Sequence, residues 1–361
     1  MIDELDLALV DALRVDPRAP WSRLAVPLGV DPATLSRRWA RLSGQGDAWV
    51  SCYPSAERLG HGVSALVEVE CRADAVASVA AELAQDPQAA SIEVVSGRAD
   101  LVVTVAGLEP AQLSGYVLGR LGTVPGVLRS RTSMVERMLR EGSRWRDGAL
   151  DAGQRAAIGG PPAAVPGAGP GRDLLEDLHL LHALGADGRM PYAELAQRTG
   201  LPATTVRRRL TELRASGRLV LRCDASPRLT GHPLGTMLWL DVPADRLPAA
   251  ARWLCEQPQT RMCAVTVGEA NLAAYLLTHR LGDVRRLEAE LGRRFPDARV
   301  RERQLTLRTV KLVGRLLDDE GRARGYVPID PRTPPPPRPG AGGRGGRPGG
   351  GGGGGEGAGG A

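Results

Sequence analysis

Lysine is nearly missing from this chain. Among 361 residues there is one, Lys311, and a single phenylalanine, so almost all of the 47 basic side chains are arginine. With Ala and Gly also in excess, this is the mark of a GC-rich coding sequence, and an arginine counts toward function only where arginines cluster. Cysteine is sparse as well: Cys52, Cys71, Cys223, Cys255 and Cys263, with no C-x-x-C pair. An odd number without paired spacing argues against a disulfide framework or a zinc site and suits free thiols in a reducing compartment. No apolar run approaches a membrane span. The N-terminal MIDELDLALVDAL is acidic and amphipathic, unlike a signal peptide. The expectation is a cytoplasmic protein without membrane contact.

Catalytic signatures are missing too. There is no G-x-S-x-G, no H-E-x-x-H and no phosphate loop, since the GAGPG of the middle segment is not followed by Gly-Lys-Ser/Thr. His179 and His182 are three apart on a helical pattern, but no third ligand lies nearby in sequence. They read as ordinary surface or packing residues, and no metal, cofactor or enzymatic activity is expected. The formal charge of +6 permits a polyanionic partner without requiring one.

What is present is a duplication. Asp16 and Asp187, Pro20 and Pro191, Gly29 and Gly200, Arg37-Arg38 and Arg208-Arg209, Cys52 and Cys223, Gly60-His61 and Gly231-His232, and Gly97 and Gly268 all stand 171 residues apart. A register held this far does not arise from shared composition. Each copy is long enough to hold its own core. The matched Gly-His pairs, His61 and His232, read as duplicated structural residues.

Each copy divides again. Leu5, Leu9 and Leu13, like Leu178, Leu181 and Leu184, space an amphipathic helix. A short helix (21–28, 192–199), a Gly turn and a second helix (32–42, 203–213) follow. Asp31-Pro32 supplies a cap and a proline at the first helical position, and Pro202-Ala203 lacks that cap. Pro27 is expected to shorten its helix. The next stretch alternates strand and helix as βαββαβ, with stripes such as Val76, Val79, Ala80 and Leu83 matched by Leu247, Ala250, Ala251 and Leu254. Domains are expected at 1–50 and 172–222 (helix–turn–helix) and at 60–141 and 231–315 (ferredoxin-like). A flexible Gly/Pro linker is expected at 148–171 and a disordered Pro/Gly-rich tail at 328–361. The fold class is α+β, two copies of a winged helix–turn–helix followed by a ferredoxin-like domain.

The second helix of each helix–turn–helix carries arginine toward its front, as a major-groove recognition helix does. Thr34, Ser36, Arg37, Arg38 and Arg41 in the first copy, and Thr205, Arg207, Arg208, Arg209 and Arg214 in the second, are the candidate contacts to double-stranded DNA. Arg38 and Arg209, at matched positions, are alternatively braces of the fold. From Asp31 to Cys52 the net charge is +1, and from Pro202 to Cys223 it is +5. The second module is therefore expected to dominate binding and its salt dependence.

These segments together resemble the leucine-responsive/asparagine regulator (Lrp/AsnC) family of transcription factors. SRLAVPLGVDPATLSRRWARLSGQG and AELAQRTGLPATTVRRRLTELRASG carry the helix–turn–helix, and SGRADLVVTV and VGEANLAAYL carry a strand pair. The resemblance implies a winged helix–turn–helix and a ferredoxin-like domain that binds a small amino-acid effector and mediates dimerisation. It also implies effector contacts at the turn holding Gly97 and Asp100, and Gly268 and Asn271. Two copies in one chain imply an intramolecular pseudodimer, able to assemble further into homo-oligomers. Sirohaem decarboxylases resemble the same family and occur as fused pairs. The aromatic strand associated with them is replaced here by GEANLAAYL, so the decarboxylase is the alternative reading, beside a regulator homologue acting through protein contacts alone.

Overall fold

Asp3 starts the first helix. Its carboxylate accepts from the Asp6 backbone N–H at 3.0 Å, and the Asp6 side chain accepts from the Asp3 N–H at 3.3 Å, a reciprocal cap that satisfies two orphan donors. Helix α1 (Glu4–Val15) is followed by α2 (Trp21–Leu28) and α3 (Pro32–Gln45). Leu9, Leu13, Leu24, Leu35 and Leu42 meet in one core. Asp31 caps α3 through the Thr34 N–H at 2.9 Å. The structure, a computed structural model, describes residues 2–54, 62–107, 109–146, 148–160 and 177–330. His61 and most of the expected tail lie outside the described residues.

Pro27 does not shorten α2, which runs through it to Leu28, as far as its counterpart α8 (Tyr192–Thr199). The missing N–H falls in the last turn, and the Gly29 N–H closes the helix on Ala25 and Val26. In the second copy α7 (Leu178–Ala186), α8 and α9 (Ala203–Ala215) repeat the arrangement, and α9 has no side-chain cap.

The strand after each recognition helix does not stay with its own copy. Strand β1 (Ala48–Pro54) pairs antiparallel with β6 (Leu219–Ala225) over their full length. Because β side chains alternate, Val50, Cys52, Leu219 and Cys223 share the face turned to the helix–turn–helix cores, and Trp49, Tyr53 and Arg222 turn to the other face. Cys223 and Leu229 of copy two enter the core of the first helix–turn–helix, and Cys52 of copy one enters that of the second. Arginines at matched positions close the interface reciprocally. Arg18 donates to the Gly188 and Met190 carbonyls at 2.6 and 3.0 Å and lies over the Tyr192 ring. Arg189 donates to the Pro17 and Ala19 carbonyls at 2.7 and 3.0 Å and lies 3.8 Å from the Trp21 ring centre.

Below this tier the ferredoxin-like halves share one sheet. Copy one supplies β2 (Val63–Cys71), α4 (Val76–Leu83), β3 (Ala89–Val95), β4 (Leu101–Gly107), α5 (Pro110–Ser114) and β5 (Val127–Arg140). The expected helix over 111–121 is α-helical only to Ser114. A π-helical stretch, Gly115–Arg120, follows, and it brings the Tyr116 hydroxyl and the Arg120 guanidinium together on the buried Asp86. Past the second helix–turn–helix, α10 (Pro227–Thr230) leads to β7 (Leu234–Asp241), α11 (Leu247–Glu256), β8 (Thr260–Val267), β9 (Leu272–Thr278), α12 (Leu281–Arg294) and β10 (Arg299–Leu312). The order β10-β3-β4-β2-β5-β8-β9-β7 returns to β10 through the β7–β10 pair, so the sheet closes on itself. The seams between copies are β5–β8 and β3–β10. The helices cover the outside, while Leu66, Val102, Met237, Trp239 and Ala273 fill part of the inside.

Two segments depart from expectation. The expected linker is in part structured: α6 (Ala152–Ile158) opens on an Asp151/Gln154 capping box and buries Leu150 and Ile158 in the first helix–turn–helix core. Gln154 also donates to the Pro27 carbonyl at 3.0 Å. Two apolar side chains and a cap suffice to dock a short helix that composition alone disguised as linker; residues 161–171 lie outside the described residues. Beyond β10 a hairpin, β11 (Arg315–Leu317) and β12 (Ala323–Tyr326), ties both helix–turn–helix modules to the barrel. Arg315 donates to the Gly185 and Ala186 carbonyls, and the Ala323 N–H donates to the Gly46 carbonyl.

Arg18 and Arg189 each satisfy two carbonyls in the other copy. Replacing either by Met strips charge-assisted bonds worth about 1.5–3 kcal/mol each and leaves the carbonyls to find other partners. Each variant is expected to lose roughly 2–4 kcal/mol in denaturant unfolding, and an unchanged midpoint for both would contradict the interlock.

Candidate nucleic-acid interface and effector region

The front of each recognition helix is exposed. On α3, Ser36 and Arg37 face solvent. Thr34 is occupied by the cap, its hydroxyl 2.6 Å from Asp31. On α9, Arg207 and Arg208 face solvent and Thr205 is half-buried. Arg207 stands over the Tyr192 ring at 5.1 Å, and Arg208 pairs with Glu212 at 2.7 Å, an exposed pair of little strength.

The other candidates point inward. Arg38 holds Asp3 and Asp6 at 2.7 and 2.9 Å, and Arg41 holds Asp6 at 2.6 Å. Asp6 has no solvent exposure, and a buried carboxylate requires such partners. The Arg38 hydrogen bond holds the Asp3 carboxyl below its ordinary range. In the second copy Arg209 pairs with Asp177 at 3.1 Å, and Arg214 reaches across to Asp16 at 2.8 Å. Arg222 is buried on Asp224. The charge surplus of the second window is therefore mostly internal, neutralised by carboxylates that lie outside the window. The first window is reduced in the same way, since Asp3 and Asp6 hold Arg38 and Arg41, so Arg37 is left at one front against Arg207 and Arg208 at the other. What differs at the exposed front is Ser36 against Arg207.

The four turn residues sit where the copies meet. The Asp100 carboxylate accepts from the Cys71 N–H at 2.8 Å. Asn271 makes the matched contact twice over, accepting from the Val242 N–H at 3.0 Å and donating to the Val242 carbonyl at 2.7 Å. The change from acid to amide thus adds a donor to a bond that ends a strand. Gly97 has φ +107°, and a Cβ there meets Glu302 of the other copy. Gly268 has an ordinary φ, but a Cβ meets Ser133, again across the interface. Beside them Arg98 and Glu269, matched positions of opposite charge, pair at 2.9 Å. Behind them the buried Gln304 amide donates to Glu68 at 2.7 Å and accepts from the Trp239 indole at 2.8 Å.

A cavity lies elsewhere, between the β1–β6 ribbon and the barrel. It has two lobes, of about 300 and 240 Å³, which share Glu93, Arg261, Tyr275 and Leu312. Burial pushes the Glu93 carboxyl up to about 8, although Arg222 and Arg261 nearby oppose the shift. Burial and the neighbouring Arg222 bring Arg261 down to about 10. None of these residues stands out in the sequence, except that Glu93 interrupts the otherwise apolar strand ASIEVV. His232 borders the upper lobe, its ring Nδ1 3.0 Å from the Thr230 carbonyl and stacked on His279. His182 lies 3.9 Å from Asp330, and no group of three metal-type side chains occurs among the described residues.

The fold and site define a class: a tandem helix–turn–helix protein whose two assembly domains close into one barrel. The AsnC-type helix-turn-helix domain matches residues 2–43 and 177–214, and the Lrp/AsnC ligand binding domain matches residues 64–145. The chain thus carries both domain types of the Lrp/AsnC family, the helix-turn-helix twice. It is 26% identical over 135 residues to the HTH-type transcriptional regulator FL11 of Pyrococcus horikoshii, covering 37% of this chain and 89% of that protein. It is 28% identical over 148 residues to the HTH-type transcriptional regulator AldR of Mycolicibacterium smegmatis, covering 39% and 85%. The crystal structure of the siroheme decarboxylase NirDL superposes with a TM-score of 0.55 at 16% identity, covering 86% of this chain and 93% of that one. At that identity the likeness concerns the fold.

The Glu93 shift sets a pH dependence. The folded chain binds one proton more than the unfolded chain between the ordinary carboxyl range near 4.5 and about 8. This group's contribution to stability therefore falls as pH rises through that window and is level above it. Glu93→Gln removes the effect, so the stability difference, variant minus wild type, should grow from pH 5 to pH 8 in denaturant melts. A constant difference would show that Glu93 ionises normally in the folded chain.

Proposed function

We propose that the chain is a DNA-binding transcriptional regulator that sets two recognition helices of one polypeptide on one operator and whose affinity responds to a small effector such as an amino acid. The observation that carries this reading is the exposed, matched pair Arg37 and Arg208 on α3 and α9, in modules locked together by the β1–β6 ribbon. Two curated relatives of regulator type support it. Arg37, Arg207 and Arg208 are the proposed contacts to phosphates or base edges, with Ser36 and Thr205 beside them. Arg38, Arg41, Arg209 and Arg214 hold the modules in shape. The half-sites are read unequally because Ser36 stands where the other helix has Arg207, and the operator is not a perfect palindrome. Effector contacts at the Gly97–Asp100 and Gly268–Asn271 turns would act on the junction between copies. We place the chain in no enzyme class. The fold shared with a sirohaem decarboxylase keeps that alternative in view, and tetrapyrrole absorbance in a preparation that fails to bind DNA would favour it.

A gel shift on the chain's own upstream region, at several salt concentrations, tests the reading. Arg37→Ala should lower the slope of log affinity against log salt by about 0.9, and Arg207→Ala plus Arg208→Ala by about 1.8. Arg209→Ala and Arg214→Ala should lower the melting temperature and leave the slope nearly unchanged. Loss of slope in the second pair without loss of stability would show that the inward arginines are the contacts.

A further inference from the structure

The cavity between the two tiers has a polar waist and an apolar end. Its roof comes from the DNA-binding tier, with Trp49, Tyr53 and Arg222, and its floor from the barrel, with Glu93, Arg261 and Tyr275. The lower lobe is walled by Leu66, Met138, Met237 and Met262, flexible side chains that fit varied apolar shapes. At the waist two guanidinium groups share one buried carboxylate, since both Arg222 and Arg261 bond to Asp224. Arg222 also has Glu141 beside it, while Arg261 bonds to no second carboxylate among the described residues. Trp49 is 5% exposed, and its indole N–H, on a residue lining the upper lobe, has no hydrogen-bond partner among the described residues. An unpartnered buried donor is costly unless something fills the space beside it. Arg261 shares its one carboxylate with Arg222, and that shortfall of negative charge disfavours a cationic guest.

We propose that this cavity binds a small carboxylic acid with an apolar body, its carboxylate at Arg261 and the Trp49 N–H and its body among Leu66, Met138, Met237 and Met262. The inference rests on the effector reading above and moves the effector from the turns to the space between the tiers. A guest there touches both the ribbon that aligns the recognition helices and the barrel. Glu93, un-ionised, adds a further donor to the carboxylate. Whether the acid also carries an α-ammonium group decides between an amino acid and a plain acid.

The test is titration calorimetry on the full chain with 3-phenylpropionate, 4-methylpentanoate, phenylalanine, leucine and phenethylamine, each with a thermal melt. Binding by the carboxylates and none by phenethylamine is expected. Phenylalanine binding more tightly than 3-phenylpropionate identifies an amino-acid site, and the reverse a plain-acid site. Arg261→Gln should weaken the best probe by at least about tenfold, the worth of one charge-assisted hydrogen bond. Trp49→Phe keeps the packing and should weaken it several-fold, which serves if Arg261→Gln does not fold. No binding by any carboxylate, preferential binding of the amine, or binding indifferent to both variants overturns the proposal. The same preparations are assayed for DNA binding without probe. A gel shift with no probe binding overturns the cavity assignment alone, and probe binding with no gel shift supports the cavity while refuting the regulator reading.

Discussion

Everything in this molecule depends on an exchange of strands between its halves. Neither helix–turn–helix completes its core from its own copy: Cys52 lies under one and Cys223 under the other. The seven-residue β1–β6 ladder fixes their relative rotation, since a slip of one residue would turn every buried side chain to the wrong face. Arg18 and Arg189 fasten the same joint from outside. In a homodimer this interface would be symmetric by necessity. Here it is symmetric by ancestry, and single chains have been free to depart from it. Arg98 and Glu269 show the result: two matched positions near the pseudo-axis have taken opposite charges and pair.

The same departure explains the cavity. A duplicated shell gives two equivalent walls, but Glu93 is matched by Ala264, Arg261 by Ala90 and Tyr275 by Thr104. The polar groups of the waist thus come one from each pair. The carboxylate site proposed there is accordingly single and asymmetric. The turns carry strand-ending hydrogen bonds through Asp100 and Asn271.

Much of the fold was legible because period and register are local signals. The stripe of Val76, Val79, Ala80 and Leu83 gave its helix to the residue, and the Asp31-Pro32 cap was where the sequence put it. Pairing partners were not legible. Nothing in β1 says that its mate lies 171 residues on, so the charge counted along α9 omitted Asp16, Asp177 and Asp224, which neutralise Arg214, Arg209 and Arg222. Composition hid α6 in the same way, because Gly and Ala outnumbered the Leu150 and Ile158 that dock it. The cavity residues had no motif, since only the closure of the barrel brings Glu93 and Arg261 to one space.

Locked by the β1–β6 ribbon, the two recognition helices of one chain are expected to meet one operator. Footprinting the operator with the full chain at a concentration where binding is stoichiometric measures this directly. One chain per duplex, protecting two neighbouring major-groove segments on one face of the DNA, with Arg37→Ala exposing one segment and Arg207→Ala plus Arg208→Ala exposing the other, is the predicted result. Protection of a single segment, unaffected by one of the two substitutions, would contradict it.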